Sequence, residues 1–197
     1  GELRYPCWNP VLFQFPSGPL ILFYKTGPSP SKWWGMWMKS SDHGVSWSTA
    51  VRLPEGIYGP VKNKPVLLED GSLLCGSSTE NHGWRIHMEH LSPDGKTWIR
   101  TETLNKGQKI RAIQPSILIH GKQKLQAIGR TTNKRLFEVW SEDNGKTWGK
   151  IKLTNLPNSD TGVDAVTLKD GRHLLVYNHT GNSSDRRWPL NVAVSSD

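Results

Sequence analysis

The sequence predicts an all-β fold, a β-propeller of about four blades, on three observations. First, one short turn recurs at a fixed period. It reads Ser-Ser-Asp-His-Gly-Val-Ser-Trp at 40–47, Ser-Pro-Asp-Gly-Lys-Thr-Trp at 92–98 and Ser-Glu-Asp-Asn-Gly-Lys-Thr-Trp at 141–148. The closing residues Trp47, Trp98 and Trp148 lie 51 and 50 residues apart, the length of one propeller blade. Second, every repeat holds short apolar stretches bounded by Gly, Asp and Asn, the pattern of strands joined by tight turns. Third, helical periodicity is absent throughout.

Within each repeat the elements follow one order. A first strand is expected at 10–15, 65–68, 115–119 and 165–168, opened by Pro10, Pro65, Pro115 or Ala165. A Gly-containing turn leads to a second strand at 20–24, 73–77, 125–129 and 174–177. A third strand enters the Ser-x-Asp turn and a fourth leaves it, as at 98–104. In that turn Asp42, Asp94 and Asp143 suit a structural role. The carboxylate accepts the turn's own N–H groups, Gly supplies positive φ, and Trp provides an apolar ring to bury. The 92–98 copy lacks one residue between Asp94 and Gly95, so a tighter or distorted turn is expected there. The repeats fall near 6–54, 60–105, 111–155 and 161–197, and a fourth turn begins at Ser195-Ser196-Asp197. Closed propellers usually have about four to eight blades, so the chain reads as part of a longer one, a single propeller region over 1–197.

Composition narrows the function. The net charge of +8 is spread over turns, which suits a soluble basic surface or a preference for anionic ligands, and no basic motif of a known nucleic-acid reader is present. No apolar run approaches the roughly 20 residues of a membrane helix. Cys7 and Cys75 read as buried free thiols, with a disulfide between neighbouring blades as the alternative. Asn178-His179-Thr180 and Asn182-Ser183-Ser184 match the glycosylation acceptor pattern. His82, His87 and His90 have no spacing that converges them on a metal, and no cofactor is expected.

Aligning the repeats gives two columns. Asn9, Lys64, Gln114 and Asp164 stand just before the first strand; Lys25, Ser78, Arg130 and His179 stand near the end of the second. The first strand of a blade lines the central channel, so these columns become rings around one axis. Polar rings there suit a ligand site, and the satisfaction of buried strand ends is the alternative. Trp33-Trp34 and Trp84 fit either the core or a stacking surface for sugars.

The repeated turns are similar to the Asp-box of the sialidase (neuraminidase) superfamily. Tyr5-Pro-Cys-Trp-Asn-Pro10, Gly59-Pro-Val-Lys-Asn-Lys-Pro65, Ile113-Gln-Pro-Ser116, Asp164-Ala-Val-Thr-Leu168 and Tyr177-Asn-His179 extend the match over nearly the whole chain. It resembles the sialidase-like proteins with bacterial-neuraminidase repeats. That resemblance implies a six-bladed propeller with a site at the channel mouth, where three arginines clamp a carboxylate. Arg130 matches the second arginine and Arg187 the third, with Arg186 its competitor. The first arginine and the acid Asp are then expected upstream of Gly1, and the Tyr nucleophile beyond Asp197. Gln114 stands where the family has the Glu that assists the nucleophile, and an amide cannot act as that base.

The expected function is therefore an exo-glycosidase on terminal acidic sugars of a glycan or oligosaccharide. Arg130, Arg187, Lys64, Asn9 and Trp34 would hold substrate, and Gln114, Asp164, Glu80 and His179, together with His82, would face the reacting centre. A non-catalytic sugar-binding propeller and a uronic-acid-directed glycosidase or lyase are the alternatives. The expected partners are the acidic glycan and missing blades from the rest of the chain or another copy, with no nucleic acid and no membrane span.

Overall fold

The computed structural model describes residues 4–182, 184 and 187–196. Four antiparallel sheets follow in chain order. Blade 1 comprises β1 (Cys7–Gln14), β2 (Leu20–Thr26), β3 (Trp34–Ser40) and β4 (Val51–Arg52). Blade 2 comprises β5 (Val66–Leu67), β6 (Leu73–Thr79), β7 (Arg85–Leu91) and β8 (Trp98–Arg100). Blade 3 comprises β9 (Ala112–Ile119), β10 (Leu125–Thr131), β11 (Arg135–Ser141) and β12 (Lys152–Pro157). Blade 4 has β13 (Asp164–Thr167), β14 (His173–Asn178) and β15 (Leu190–Ser195) among the described residues.

Strand alternation distributes each blade between two cores. In blade 2, Leu73, Cys75 and Leu91 point at Val11, Ile21 and Phe23 of blade 1. The alternate residues Leu74, Ile86 and Met88 point at Ile117, Ala127 and Phe137 of blade 3. Blade 3 repeats the device, with Leu118, Ile128 and Leu136 packing on Leu175 and Tyr177 of blade 4. Covered on both faces, β6 is buried along its whole length. Blade 4 turns Val166, Leu190, Val192 and Val194 outward to solvent.

Two sequence expectations need correction. Pro10 and Pro115 do not open their strands but lie inside β1 and β9. In each case the ladder contains a bulge: Asn9 and Pro10 oppose Tyr24 alone, and Gln114 and Pro115 oppose Gly129 alone. Asn9 and Gln114 adopt positive φ (48° and 56°), so the chain turns through the bulge and the proline needs no ladder partner. Both cysteines are free, but only Cys75 is buried; Cys7 is exposed at the start of an inner strand.

The repeated turns are tied internally. Asp42 accepts the Ser46 N–H (2.8 Å) and hydroxyl (2.5 Å) and the Ser40 hydroxyl (2.7 Å). Asp143 receives the same three bonds from Thr147 and Ser141. Each turn passes through two left-handed residues, His43-Gly44 and Asn144-Gly145. The shorter copy has only Gly95 in that conformation, and Asp94 accepts the Lys96 N–H at 3.1 Å instead. The bonds hold the Asp42 and Asp143 carboxyls at about 2, down from 3.8, first through the Ser46 or Thr147 hydroxyl. A depressed carboxyl stabilises the fold above its unfolded pKa and loses that stabilisation as pH falls through the folded one. Stability should therefore drop between about pH 4 and pH 2. In urea denaturation followed by tryptophan fluorescence, Asp42→Asn should be less stable at neutral pH and show a shallower acid loss; an unchanged slope would remove this carboxyl from the acid transition.

In an up-and-down sheet the links between strands two and three lie at the same end as the links between blades. The Asp turns lie at the opposite end. Lys62, Lys64, Glu80, Trp84, Arg130, Asp160 and His179 thereby share one face of the molecule, away from Asp42, Asp94 and Asp143.

Candidate functional site

The connection from blade 1 to blade 2 lies on this face, and successive residues of it are fastened to different blades. Tyr58 and Gly59 donate their N–H groups to Glu89 of β7 at 3.0 and 2.6 Å. The Pro60 carbonyl accepts Lys25 Nζ of β2 at 2.6 Å, and Val61 N–H donates to the Gly76 carbonyl of β6. Lys62 Nζ donates to the Val163 carbonyl beside blade 4 (2.7 Å) and to Asn63 Oδ1 (2.8 Å). Asn63 Nδ2 donates to the Gln114 carbonyl of blade 3 at 2.8 Å. This segment contains Gly59 and Lys62 at positive φ, 68° and 74°. For lysine that backbone is unfavourable, and its retention reflects the surrounding bonds.

Around the segment the polar residues of blades 2, 3 and 4 meet. Lys64 Nζ reaches Asp164 Oδ2 at 3.2 Å, and the Ser116 hydroxyl donates to Asp164 Oδ1 at 3.1 Å. Gln114 is buried, its N–H given to Ser78 Oγ (3.2 Å), and its side-chain Oε1 has no hydrogen-bond partner among the described residues. Arg130 gives one Nη1–H to the Asp160 carbonyl (2.8 Å) and lies 4.8 Å from the centre of the Trp84 ring, a cation–π distance. Burial pushes the Lys62 amine below the ordinary lysine range; Asp164 opposes that shift, while Arg130 and Lys64 add to it. Lys62 thus sits in the field of all three. Lys62, Lys64 and Arg130 therefore lie around Asp164, with Asp160 beside Arg130.

Among the described residues, the hydrogen bonds and ion pairs given above do not include the other expected residues. Asn9 occupies the blade 1 bulge, and no hydrogen bond among the described residues joins it to the cluster. Trp34 packs edge-on against Tyr5 with the Arg52 guanidinium 5.0 Å from its ring centre, while Trp33 is buried against Trp8. Glu80 is half-buried and His82 exposed in the link before Trp84. His179 is exposed; its Nδ1 pairs closely with the Tyr177 hydroxyl and its N–H donates to Asn191 Oδ1. Arg187 is exposed in the link before β15, and Arg186 and Asp197 lie outside the described residues. Sequence reasoning missed Lys62, Asn63, Ser116 and Glu89. A signal for the first two was available, since Gly59, Pro60 and Pro65 mark a stiff, sharply turned connection around them.

Four blades in chain order, with Asp turns at one end and a polar axial cluster at the other, agree with the comparison to known families. The model of the BNR repeat-like domain matches residues 1–197. The chain belongs to the BNR repeat-like domain family. Its fold is that of the sialidase-type propellers. A Dyadobacter fermentans protein of unknown function superposes with a TM-score of 0.72 at 18% identity, over 87% of this chain and 56% of that one. The Penicillium chrysogenum alpha-L-arabinanase complexed with arabinobiose gives 0.72 at 20% identity, over 97% of this chain and 63% of its own. Trypanosoma rangeli sialidase with the inhibitor DANA gives 0.70 at 17% identity, over 98% and 37%. The BNR chain therefore spans less than two thirds of each of these structures. No curated protein matches it in sequence.

Proposed function

We propose that this BNR-repeat propeller acts on glycans at the axial face, as a sialidase-like exo-glycosidase directed at a terminal acidic sugar. The observation that carries the reading is the grouping of three basic residues, Lys62, Lys64 and Arg130, around Asp164. A guanidinium already oriented by Asp160 and Trp84 is suited to hold a sugar carboxylate in plane, with the two lysines adding charge at no geometric demand. Sialidase and arabinanase relatives in shape support a glycan as ligand. Asp164, fixed by Ser116 and Lys64, is the proton-transfer group of the cluster; Glu80 and His179 on the same face are further ones. Gln114 contributes hydrogen bonding and no proton transfer.

The neutral side chain of Gln114 favours a second reading, a carbohydrate-binding propeller without catalysis. Fluorogenic sialosides and uronic-acid oligosaccharides separate the two: turnover of either supports the glycosidase, and binding by calorimetry without product supports the lectin. In both cases Arg130→Ala should weaken a carboxylated sugar by about tenfold or more and its neutral analogue less than about twofold, the difference expected for one charge-assisted bond. Equal weakening of both would remove the carboxylate clamp.

A further inference from the structure

The interior between blades 1 and 2 holds a group of polar side chains that the axial cluster does not use directly. Lys25 on β2 and His87 and Glu89 on β7 are all fully buried, with Cys75 of β6 and Tyr58 beside them. Glu89 Oε1 pairs with His87 Nε2 at 2.7 Å, and its oxygens receive the Tyr58 and Gly59 N–H groups. Lys25 supplies the complementary contact, donating to Pro60 O. Burying charged groups stabilises a core no better than packed apolar residues of the same size, but the hydrogen bonds those groups make can select one geometry. Here the geometry selected is that of three consecutive residues, 58, 59 and 60. After one intervening residue, Val61, begins the run Lys62-Asn63-Lys64, which reaches blades 3 and 4.

We infer that Glu89, with Lys25 as its counterpart, is a positioning residue that sets Lys62 and Lys64 in place around Asp164 by clamping the backbone at Tyr58, Gly59 and Pro60. The inference rests on reading the axial cluster as the ligand site. Glu89 touches no ligand; it acts through two backbone links. With the carboxylate replaced by an amide, one oxygen remains for three donors. The segment loosens at its start, and the strained backbone of Lys62 relaxes.

The test is Glu89→Gln in the whole chain. Amide exchange at Tyr58 and Gly59 should rise about tenfold or more, while the Ser46 and Thr147 amides of the distant Asp turns stay unchanged. Acylation of Lys62 by an amine-reactive reagent should accelerate several-fold, reading its placement without any ligand. Affinity for a uronic-acid oligosaccharide should fall about tenfold. Unchanged exchange and unchanged Lys62 reactivity in a folded variant would overturn the inference, as would faster exchange with Lys62 reactivity and affinity both intact. If the unaltered protein binds no acidic sugar, the site reading fails, while the exchange and acylation results still decide the clamp. Should Glu89→Gln not fold, Lys25→Met with Glu89→Leu removes both charges together, and the same two ligand-free measurements apply.

Discussion

Glu89→Ala should cost about 3–5 kcal/mol of folding free energy, since each buried donor left without an acceptor costs about 1–3 kcal/mol. Three donors lose their acceptor at once: Tyr58 N–H, Gly59 N–H and His87 Nε2. Lys25 would remain fully buried, its amine already lowered to about 8 by burial, with Glu89 the main group opposing that shift. Without Glu89 the lysine would titrate lower still. The sign of the pH effect follows. Between the folded value near 8 and the ordinary 10.5, the unfolded chain holds a proton the folded one has released, so stability rises with pH there. In Glu89→Ala this rise begins at lower pH, and the deficit should be smaller at pH 9 than at pH 7. Urea denaturation at the two pH values, read by tryptophan fluorescence, checks both statements. A loss below about 1 kcal/mol would mean that the carboxylate does not hold the connection.

Gly76→Val is the second large effect, through a different cause. Gly76 has ordinary φ, so its requirement is space. A Cβ there would lie 2.6 Å from the Pro115 carbonyl oxygen and 2.9 Å from Pro115 Cγ. Both neighbours are fixed, since Pro115 sits in the β9 bulge and the Gly76 carbonyl accepts Val61 N–H. Overpacking a core commonly costs about 1–3 kcal/mol, and a clash with backbone falls at or above the top of that range. The displaced groups adjoin Gln114 and Lys62, so sugar binding should be lost along with stability. Gly107→Ala provides the contrast: nothing lies within 4 Å of its Cβ position, and only its φ of 69° resists, for about 1 kcal/mol. A Gly76→Val variant as stable as Gly107→Ala would contradict the close approach of blades 2 and 3.

The Asp turns were legible because all their bonds are local. Ser40, Asp42 and Ser46 meet within seven residues, so the residue types alone state the turn, and the missing residue before Gly95 announced a different one. Strand positions were legible from alternation, apart from the inner strands of blades 1 and 3, where a proline reads locally as a boundary. Nothing local reports that a positive φ at Asn9 or Gln114 lets pairing resume on both sides of the proline. Aligning repeats brought Lys64, Gln114 and Asp164 to the axis, because equivalent positions of equivalent blades share a radius. The same alignment placed Asn9 with them, in a bulge equivalent to that of Gln114, while the connection 58–64 that follows blade 1 escaped it.

The sequence by itself determined the all-β repeat, the blade period, the Asp turns and the basic balance, since each is a property of neighbours along the chain. Only the tertiary structure decided that Lys62 rests on a carbonyl about a hundred residues away and that Arg130 lies over Trp84. It alone decided, too, that Lys25 and Glu89 share a buried connection. Those contacts depend on which residues lose water when blades pack, and burial sets the strength of every charge in them. A lysine and a glutamate in two separate strands look like surface residues until two sheets close over them.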